Sequence, residues 1–330
     1  MRRRASMTRA RSLADRVQAW DRALQAVRSH FRGQGLHEVL TPVRLPAVAI
    51  EPYIEPVRAD GGLLATSPEL PMKQLLCGGA PDVFQVAPVH RAAESGRLHA
   101  EGFHLIEWYR RDVDERAMQA DVEALIETTF DAFARPAPGP WTRHGFLALL
   151  RETTGVVLRG DEDAAMLLDA VPAAWRVDVP ETMPASARTL YAWSALLTSW
   201  SDVALDPWLA AQGGGVHIVD YPPPLAALAQ VGPARLGAGE AAHRFESYVG
   251  GIELSNGYHE LRDPAEQRRR FAAVAALRAG HDLLPLPEPT AFLAALEQPG
   301  LPACAGAALG FERLLMLACG ATELSAIALG

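Results

Sequence analysis

Cysteine is scarce. Cys77, Cys304 and Cys319 are the whole complement in 330 residues, too few and too scattered for a disulfide framework or a Cys-x-x-Cys metal knuckle. That scarcity points to a reducing, cytoplasmic compartment. Long apolar runs are absent as well. No stretch of about 18 apolar residues occurs, and the arginine-rich start, Arg2, Arg3 and Arg4, is followed by charged Asp15 and Arg16 rather than by an apolar segment. No export and no membrane span are expected. Positive charge is in deficit, with 31 Lys plus Arg against 39 Asp plus Glu and a formal net charge of −8. Nucleic-acid binding relies on Lys and Arg neutralising phosphates, so a general nucleic-acid binder is disfavoured. Lysine itself is nearly missing, Lys73 being the single one; this reads as the coding bias of a GC-rich genome and carries no functional weight by itself. No G-x-G-x-x-G follows an early strand, which argues against a doubly wound dinucleotide fold.

What is present is ordinary for a soluble globular chain, 49% apolar and 21% charged, at a length that allows one large core or two domains. Leu13, Val17, Trp20, Leu24, Val27 and Phe31 recur at the helical period over 12–32, and Gly33 and Gly35 stop that helix. Residues 37–40 read as a short strand ended by Pro42, and 63–66 as another. Ser67 and Pro68 open a helix to Cys77 as cap and first position. Strands over 82–89 and 103–111, joined by a polar loop, predict an antiparallel hairpin. Helices follow at 115–134, 142–153, 161–169 and 187–200, with the proline-rich 134–140 as a hinge candidate. Residues 216–220 and 245–254 read as core strands, 264–278 as a helix, 304–309 as a small-residue strand and 311–318 as a final helix. Together these predict an α+β fold around a mostly antiparallel sheet flanked by helices.

Four segments carry the chemistry. One runs Val89-His90-Arg91, then a loop holding Glu94, Arg97 and His99, then Phe103 and Glu107-Trp108-Tyr109-Arg110. A second is Gly306-Ala307-Ala308-Leu309-Gly310-Phe311-Glu312-Arg313. These resemble motifs 2 and 3 of the class II aminoacyl-tRNA synthetases, and Glu38 to Pro42 matches their proline-ended motif 1. Thr66-Ser67-Pro68-Glu69 with Met72-Lys73-Gln74, and Arg244-Phe245-Glu246 through Glu253, Asn256 and Glu260, narrow the resemblance to the lysyl branch. Within it, the chain is most similar to the truncated paralogues that ligate β-lysine to elongation factor P, over about Asp21 to Leu317.

That resemblance implies a class II synthetase catalytic core that uses ATP and Mg2+ to form an aminoacyl adenylate of (R)-β-lysine or lysine. Transfer would then go to a lysine side chain of elongation factor P. Arginine suits such chemistry because its guanidinium stays charged and can hold two phosphate oxygens at once. The resemblance gives Arg91 the α-phosphate and substrate carboxylate, and Arg313 the γ-phosphate. Phe103 and Arg313 would enclose the adenine, with His99 and Glu94 close by. Glu246 and Glu253 match the metal pair, in keeping with the oxygen ligands magnesium takes. Seven residues apart on one strand, they would face opposite ways, so a bend at Gly250-Gly251 is expected.

For the amino acid, the resemblance assigns Glu69 to the amino group beside the reacting carboxylate, Glu260 to the side-chain end, Asn256 to the carboxylate region, and Glu107 to the same pocket. Ala308 stands where lysyl-tRNA synthetases carry glycine, and its methyl would favour a β-amino acid. The chain departs from the family at Ala93 and Gly102, where two acidic residues are expected, so adenine recognition and activation rate are the steps affected. Two alternatives therefore stay open: a ligase with another acceptor, and a catalytically weak paralogue with a binding or regulatory role. About 20 residues precede the first motif, too few for an OB-fold, so a single catalytic domain over 1–330 is expected, without an anticodon-binding domain or tRNA acceptor. Family members dimerise through motif 1, which implies a homodimer. Taken alone, Arg97, Arg110 and Arg111 read as solvated charges, and Trp193 with Trp200 as core or dimer packing.

Overall fold

The computed structural model describes residues 12–330; Arg2, Arg3 and Arg4 lie outside them. Helix α1 (Leu13–Gly33) opens with a reciprocal cap, the Ser12 hydroxyl accepting from the Asp15 amide while the Asp15 carboxylate accepts from Ser12. Its buried stripe is Ala19, Ala23, Val27 and Phe31, four apart. Of the expected stripe, Val27 and Phe31 are buried and Trp20 and Leu24 pack against the same core, whereas Leu13 and Val17 are 53% and 49% exposed. Helix α2 (Glu69–Cys77) carries Glu69 and Lys73 one turn apart, α3 (Glu115–Ala132) is capped by Asp114, and α4 (Phe146–Thr154) ends on left-handed Gly155.

The strands are β1 (His37–Glu38), β2 (Arg44–Leu45), β3 (Arg58–Ala59), β4 (Gly62–Leu64), β5 (Val83–His90), β6 (Gly102–Arg111), β7 (Gly139–Gly145), β8 (Gly214–Tyr221), β9 (Val231–Pro233), β10 (Glu240–Val249), β11 (Ile252–His259) and β12 (Cys304–Gly310). The main sheet runs β1-β5-β6-β12-β11-β10-β8-β7, with β9 beside β10, while β2, β4 and β3 form a small separate sheet. Only the outer pairs β1/β5 and β7/β8 are parallel; the other pairs are antiparallel, as expected for this α+β fold.

Side chains on a strand alternate between faces, and that alternation divides the molecule. Phe84, Ile106, Trp108, Ala307, Leu309, Leu254 and Phe245 join Val27 and Phe31 of α1, Val122, Leu125 and Ile126 of α3, and Phe311, Leu314 and Leu315 of the helix Phe311–Ala318 in one core. The opposite face carries the polar residues between them.

Three expectations are corrected. Residues 245–254 are not one strand but the facing arms of the β10/β11 hairpin, the bend expected at Gly250 and Gly251 being a full turn at φ 58° and 77°. These are left-handed values that glycine adopts without a Cβ clash. The helix expected from 142 begins at Phe146, because 139–145 pairs with β8 as a strand; the 134–140 hinge thus leads into the sheet edge. Ser67 is not the cap residue of α2, a place taken by Pro68. Its hydroxyl accepts from the Glu69 amide at 3.0 Å and donates to Glu107 at 2.7 Å.

Trp193 and Trp200 are fully buried, their indole N–H groups donating to the Glu162 carbonyl and the Thr153 hydroxyl, so they belong to the core. Arg110 pairs with Asp121 at 2.8 Å, and Arg97 donates to the Thr322 carbonyl at 2.6 Å. The latter fastens the β5–β6 loop to the C-terminal segment.

Candidate active site

The twelve residues singled out by sequence, Glu69, Arg91, Glu94, His99, Phe103, Glu107, Glu246, Glu253, Asn256, Glu260, Ala308 and Arg313, all line a single cleft of about 340 Å³ on the polar face of the sheet. Strand register explains the convergence. Glu107 of β6 lies opposite Ala308 of β12, Ala308 opposite Asn256 of β11, and Asn256 opposite Glu246 of β10. Two residues along each strand, Tyr109, Gly306, Tyr258 and Arg244 form a second row on the same face. Antiparallel neighbours in register bring side chains within reach across four strands. Gly306 keeps its row open, for a Cβ there would lie 2.3 Å from Tyr109 Cε1 and 2.8 Å from Glu260 Oε1.

One end of the cleft is acidic and enclosed. Glu107 is 2% exposed and accepts hydrogen bonds from the Tyr109 and Ser67 hydroxyls, each at 2.7 Å. Burial, reinforced by the charge of Glu69, pushes its carboxyl up to about 8. Glu69 and Glu260 both contact the Lys73 ammonium at 2.5 Å. Burial raises Glu260 to about 7 even though Lys73 draws it down. Its Oε1 and the Oδ1 of Asn256 are buried acceptors without a hydrogen-bond partner among the described residues. Such atoms cost free energy unless a ligand or water donor reaches them. The enclosed end is therefore built to receive several N–H donors.

The other end is cationic. Arg91 donates to the Thr66 carbonyl at 3.3 Å and lies over the Phe103 ring at 5.2 Å. Arg313 donates to the Leu98 and Glu253 carbonyls at 3.2 and 2.8 Å and to His99 Nε2 at 2.8 Å. Burial, and then Arg313, hold His99 below its ordinary value, consistent with a neutral ring that accepts from the guanidinium. Glu94 lies 3.6 Å from Arg91. Ala93 has a φ of 64°, a left-handed conformation that disfavours an L side chain.

Between the two ends, Glu253 and Glu246 come from the two arms of the hairpin, Glu253 opposite Tyr248 and Glu246 opposite Asn256. Glu246 accepts from Arg244 at 2.6 Å and Tyr248 at 2.5 Å. Glu253 is raised by its recess in the cleft and then by the charge of Glu246, while its side chain keeps 44% exposure. Two carboxylates that repel one another beside an unpartnered amide oxygen fit a hard divalent cation. A second grouping that could hold a metal ion, Glu115, His243 and His259, lies elsewhere, with the Arg235 guanidinium donating to Glu115 at 2.8 Å and lying 3.5 Å from His243.

Glu51 lies outside the sequence motifs, and Ser67, Tyr109, Arg244 and Tyr258 stand within them without an assigned role, yet all five line the cleft. Tyr109, Tyr258 and Arg244 sit two positions from recognised residues on their strands, so alternation could have found them. Glu51 is raised by burial and comes from an irregular segment that gives no periodic signal.

A family model described as tRNA synthetases class II (D, K and N) matches residues 1–329. A Vibrio cholerae protein named elongation factor P–(R)-beta-lysine ligase is 32% identical over 314 residues, covering 92% of this chain and 91% of its own. Proteins of the same name from Vibrio vulnificus and Pectobacterium carotovorum are each 33% identical, over 91% and 92% of this chain and 90% of theirs. Matched along nearly its whole length by the family model and by these relatives, the chain belongs to the class II tRNA synthetases of the D, K and N group.

Proposed function

We propose that this chain is an ATP-dependent, AMP-forming amino-acid ligase that activates (R)-β-lysine or lysine as an adenylate. It then transfers the aminoacyl group to a lysine side chain of elongation factor P. The observation that carries this reading is the division of the cleft into an acidic end with Glu69, Glu107 and Glu260 and a cationic end with Arg91 and Arg313. A diamino acid needs the first, and a nucleotide the second. The names of the relatives favour this acceptor over another and over a purely regulatory role.

In the first step a carboxylate oxygen of the amino acid attacks the α-phosphorus of ATP and pyrophosphate leaves. In the second, the acceptor amine attacks the acyl carbon, AMP leaves, and the amine gives up a proton. Arg91 would hold the α-phosphate and the carboxylate together, which raises the effective concentration of the reacting groups and offsets their charge. Arg313, with Phe103, His99 and Glu94, would hold the nucleotide. Glu69 and Glu260 would accept from the two ammonium groups, Glu107 would close the same pocket, and Asn256 would orient the carboxylate region. Glu246 and Glu253 would hold Mg2+, which when bound adds positive charge at the phosphates. The Ala308 methyl, in register between Glu107 and Asn256, would narrow the pocket against an α-amino acid.

A cytoplasmic homodimer with a single catalytic domain, and no tRNA acceptor, completes the reading. Leu40, within motif 1, is 83% exposed, and Leu13 and Val17 are exposed on α1, the apolar surface a partner subunit would cover. No helix among the described residues is long and apolar enough to cross a membrane. The test is incubation with ATP, Mg2+, (R)-β-lysine and unmodified elongation factor P, followed by intact mass. The expected outcome is one added lysyl mass, lost when the acceptor lysine is replaced. An unmodified acceptor alongside efficient adenylate formation would redirect the search to another acceptor.

A further inference from the structure

The single lysine of the chain stands directly behind the acidic end of the cleft. Lys73 is 1% exposed, and its Nζ lies 2.5 Å from Glu69 Oε1 and 2.5 Å from Glu260 Oε2. It does not line the cleft, whereas both of its partners do, and Glu260 Oε1 has no hydrogen-bond partner among the described residues. We propose that Lys73 is a positioning residue that sets specificity for a ligand with two ammonium groups, by bridging Glu69 and Glu260 from behind and fixing the placement of both carboxylates. This inference rests on the diamino-acid reading of the cleft and adds to it the means by which the charge count is fixed.

Charge balance supplies the reason. Lys73 touches Glu69 and Glu260, and Glu107 lies in the field of Glu69 and of Lys73. With all three carboxylates ionised, one fixed ammonium leaves two negative charges for the two ammonium groups of a diamino acid, and Glu107 and Glu260, pushed up to about 8 and about 7, reach that state by giving up protons as the ligand binds. A ligand with one ammonium leaves a negative charge buried and uncompensated, which is costly. Without Lys73, neighbouring buried carboxylates would share a proton, turning an acceptor into a donor that opposes an ammonium group. The titratable and charged groups around Lys73 are Glu69 on its own helix, Glu260, Glu107, Tyr109 with its ring at 5.9 Å, Tyr258, Cys77 and Cys304. Burial alone would lower the Lys73 ammonium, but Glu260 and then Glu69 raise it well above the ordinary lysine value.

The uniqueness of Lys73 gives a test that needs no substitution. Protein grown with lysine labelled at Cε and Nζ carries one labelled residue and so one set of side-chain signals. Expected is an ammonium signal that does not titrate from about pH 6 to about pH 10, a range in which an exposed lysine would begin to lose its proton. It should shift on saturation with (R)-β-lysine or lysine but not with norleucine, which lacks the second ammonium group. A signal that titrates in this range, or that responds equally to norleucine, would overturn the proposal.

Lys73→Met, checked for folding by its thermal transition, should raise the amino-acid KM at least about ten-fold. The kcat at saturation and the ATP KM should stay within about three-fold of the parent protein. The variant's amino-acid KM should also fall more steeply with rising pH than that of the parent. An unchanged KM and pH profile would refute the role of Lys73; if the variant does not fold, the labelled parent protein decides. Absence of activation by any diamino acid in the parent protein would count against the functional reading instead, with the labelled signal still reporting the state of Lys73.

Discussion

Replacing Glu260 by glutamine removes one buried charge while keeping shape. Glu260 lines the cleft, is 1% exposed, gives Oε2 to Lys73 at 2.5 Å and has no hydrogen-bond partner for Oε1 among the described residues. A glutamine has one carbonyl oxygen and one amide nitrogen, so it can accept from Lys73 or from a ligand ammonium group but presents a donor to the other. Lys73 keeps Glu69 at 2.5 Å, so the ligand side bears most of the loss. A hydrogen bond to a charged group contributes about 1.5–3 kcal/mol, which corresponds to roughly 10- to 150-fold in affinity. The assay is amino-acid-dependent ATP–pyrophosphate exchange, titrating the amino acid at saturating ATP and then ATP at saturating amino acid. Glu260→Gln should raise the amino-acid KM by that factor and leave the ATP KM within about two-fold. An amino-acid KM within two-fold of the parent, or an equal rise in both constants, would refute the assignment of Glu260 to the amino-acid end.

Other outcomes follow from the same geometry. Because burial lifts Glu107 to about 8 and Glu260 to about 7, and ammonium groups bind their ionised forms, the amino-acid KM should fall as pH rises through about 6 to 8. Protons should be released on binding, detectable by calorimetry in two buffers; a KM flat or rising across that window would contradict the shifts. Ala308→Gly removes the methyl between Glu107 and Asn256 and should narrow the preference for (R)-β-lysine over lysine by about ten-fold, measured as the ratio of kcat/KM values. Ala93→Gly relieves a left-handed φ of 64° and should stabilise the protein by about 1 kcal/mol; a lower thermal transition would show that the methyl has packing value.

How much of this was legible in sequence depended on whether a signal was local. Strand pairs such as 82–89 with 103–111 carry alternation and a loop between them, and they form the β5/β6 hairpin. The 245–254 segment reads as one strand because apolar and polar residues continue across Gly250-Gly251, yet the odd spacing of Glu246 and Glu253 calls for a bend at those glycines, and the structure makes that bend a tight turn between two strands. Residues 139–145 pair with a strand about 75 positions away, a tertiary preference that no local pattern near Pro136 and Pro138 announces. Arg91, Glu253 and Arg313 were found through the family resemblance, not composition, whereas Tyr258 and Arg244 follow from register once β10 and β11 are known to pair. Lys73 gave a misleading signal, since rarity looked like coding bias until its burial between Glu69 and Glu260 was seen.

The most direct test of the central claim is ATP–pyrophosphate exchange with purified protein, screening (R)-β-lysine, lysine and other diamino acids against norleucine. Exchange strongest with (R)-β-lysine, weaker with lysine and absent with norleucine is expected. A folded protein that supports no exchange with any diamino acid would contradict the reading of this cleft as an amino-acid-activating site.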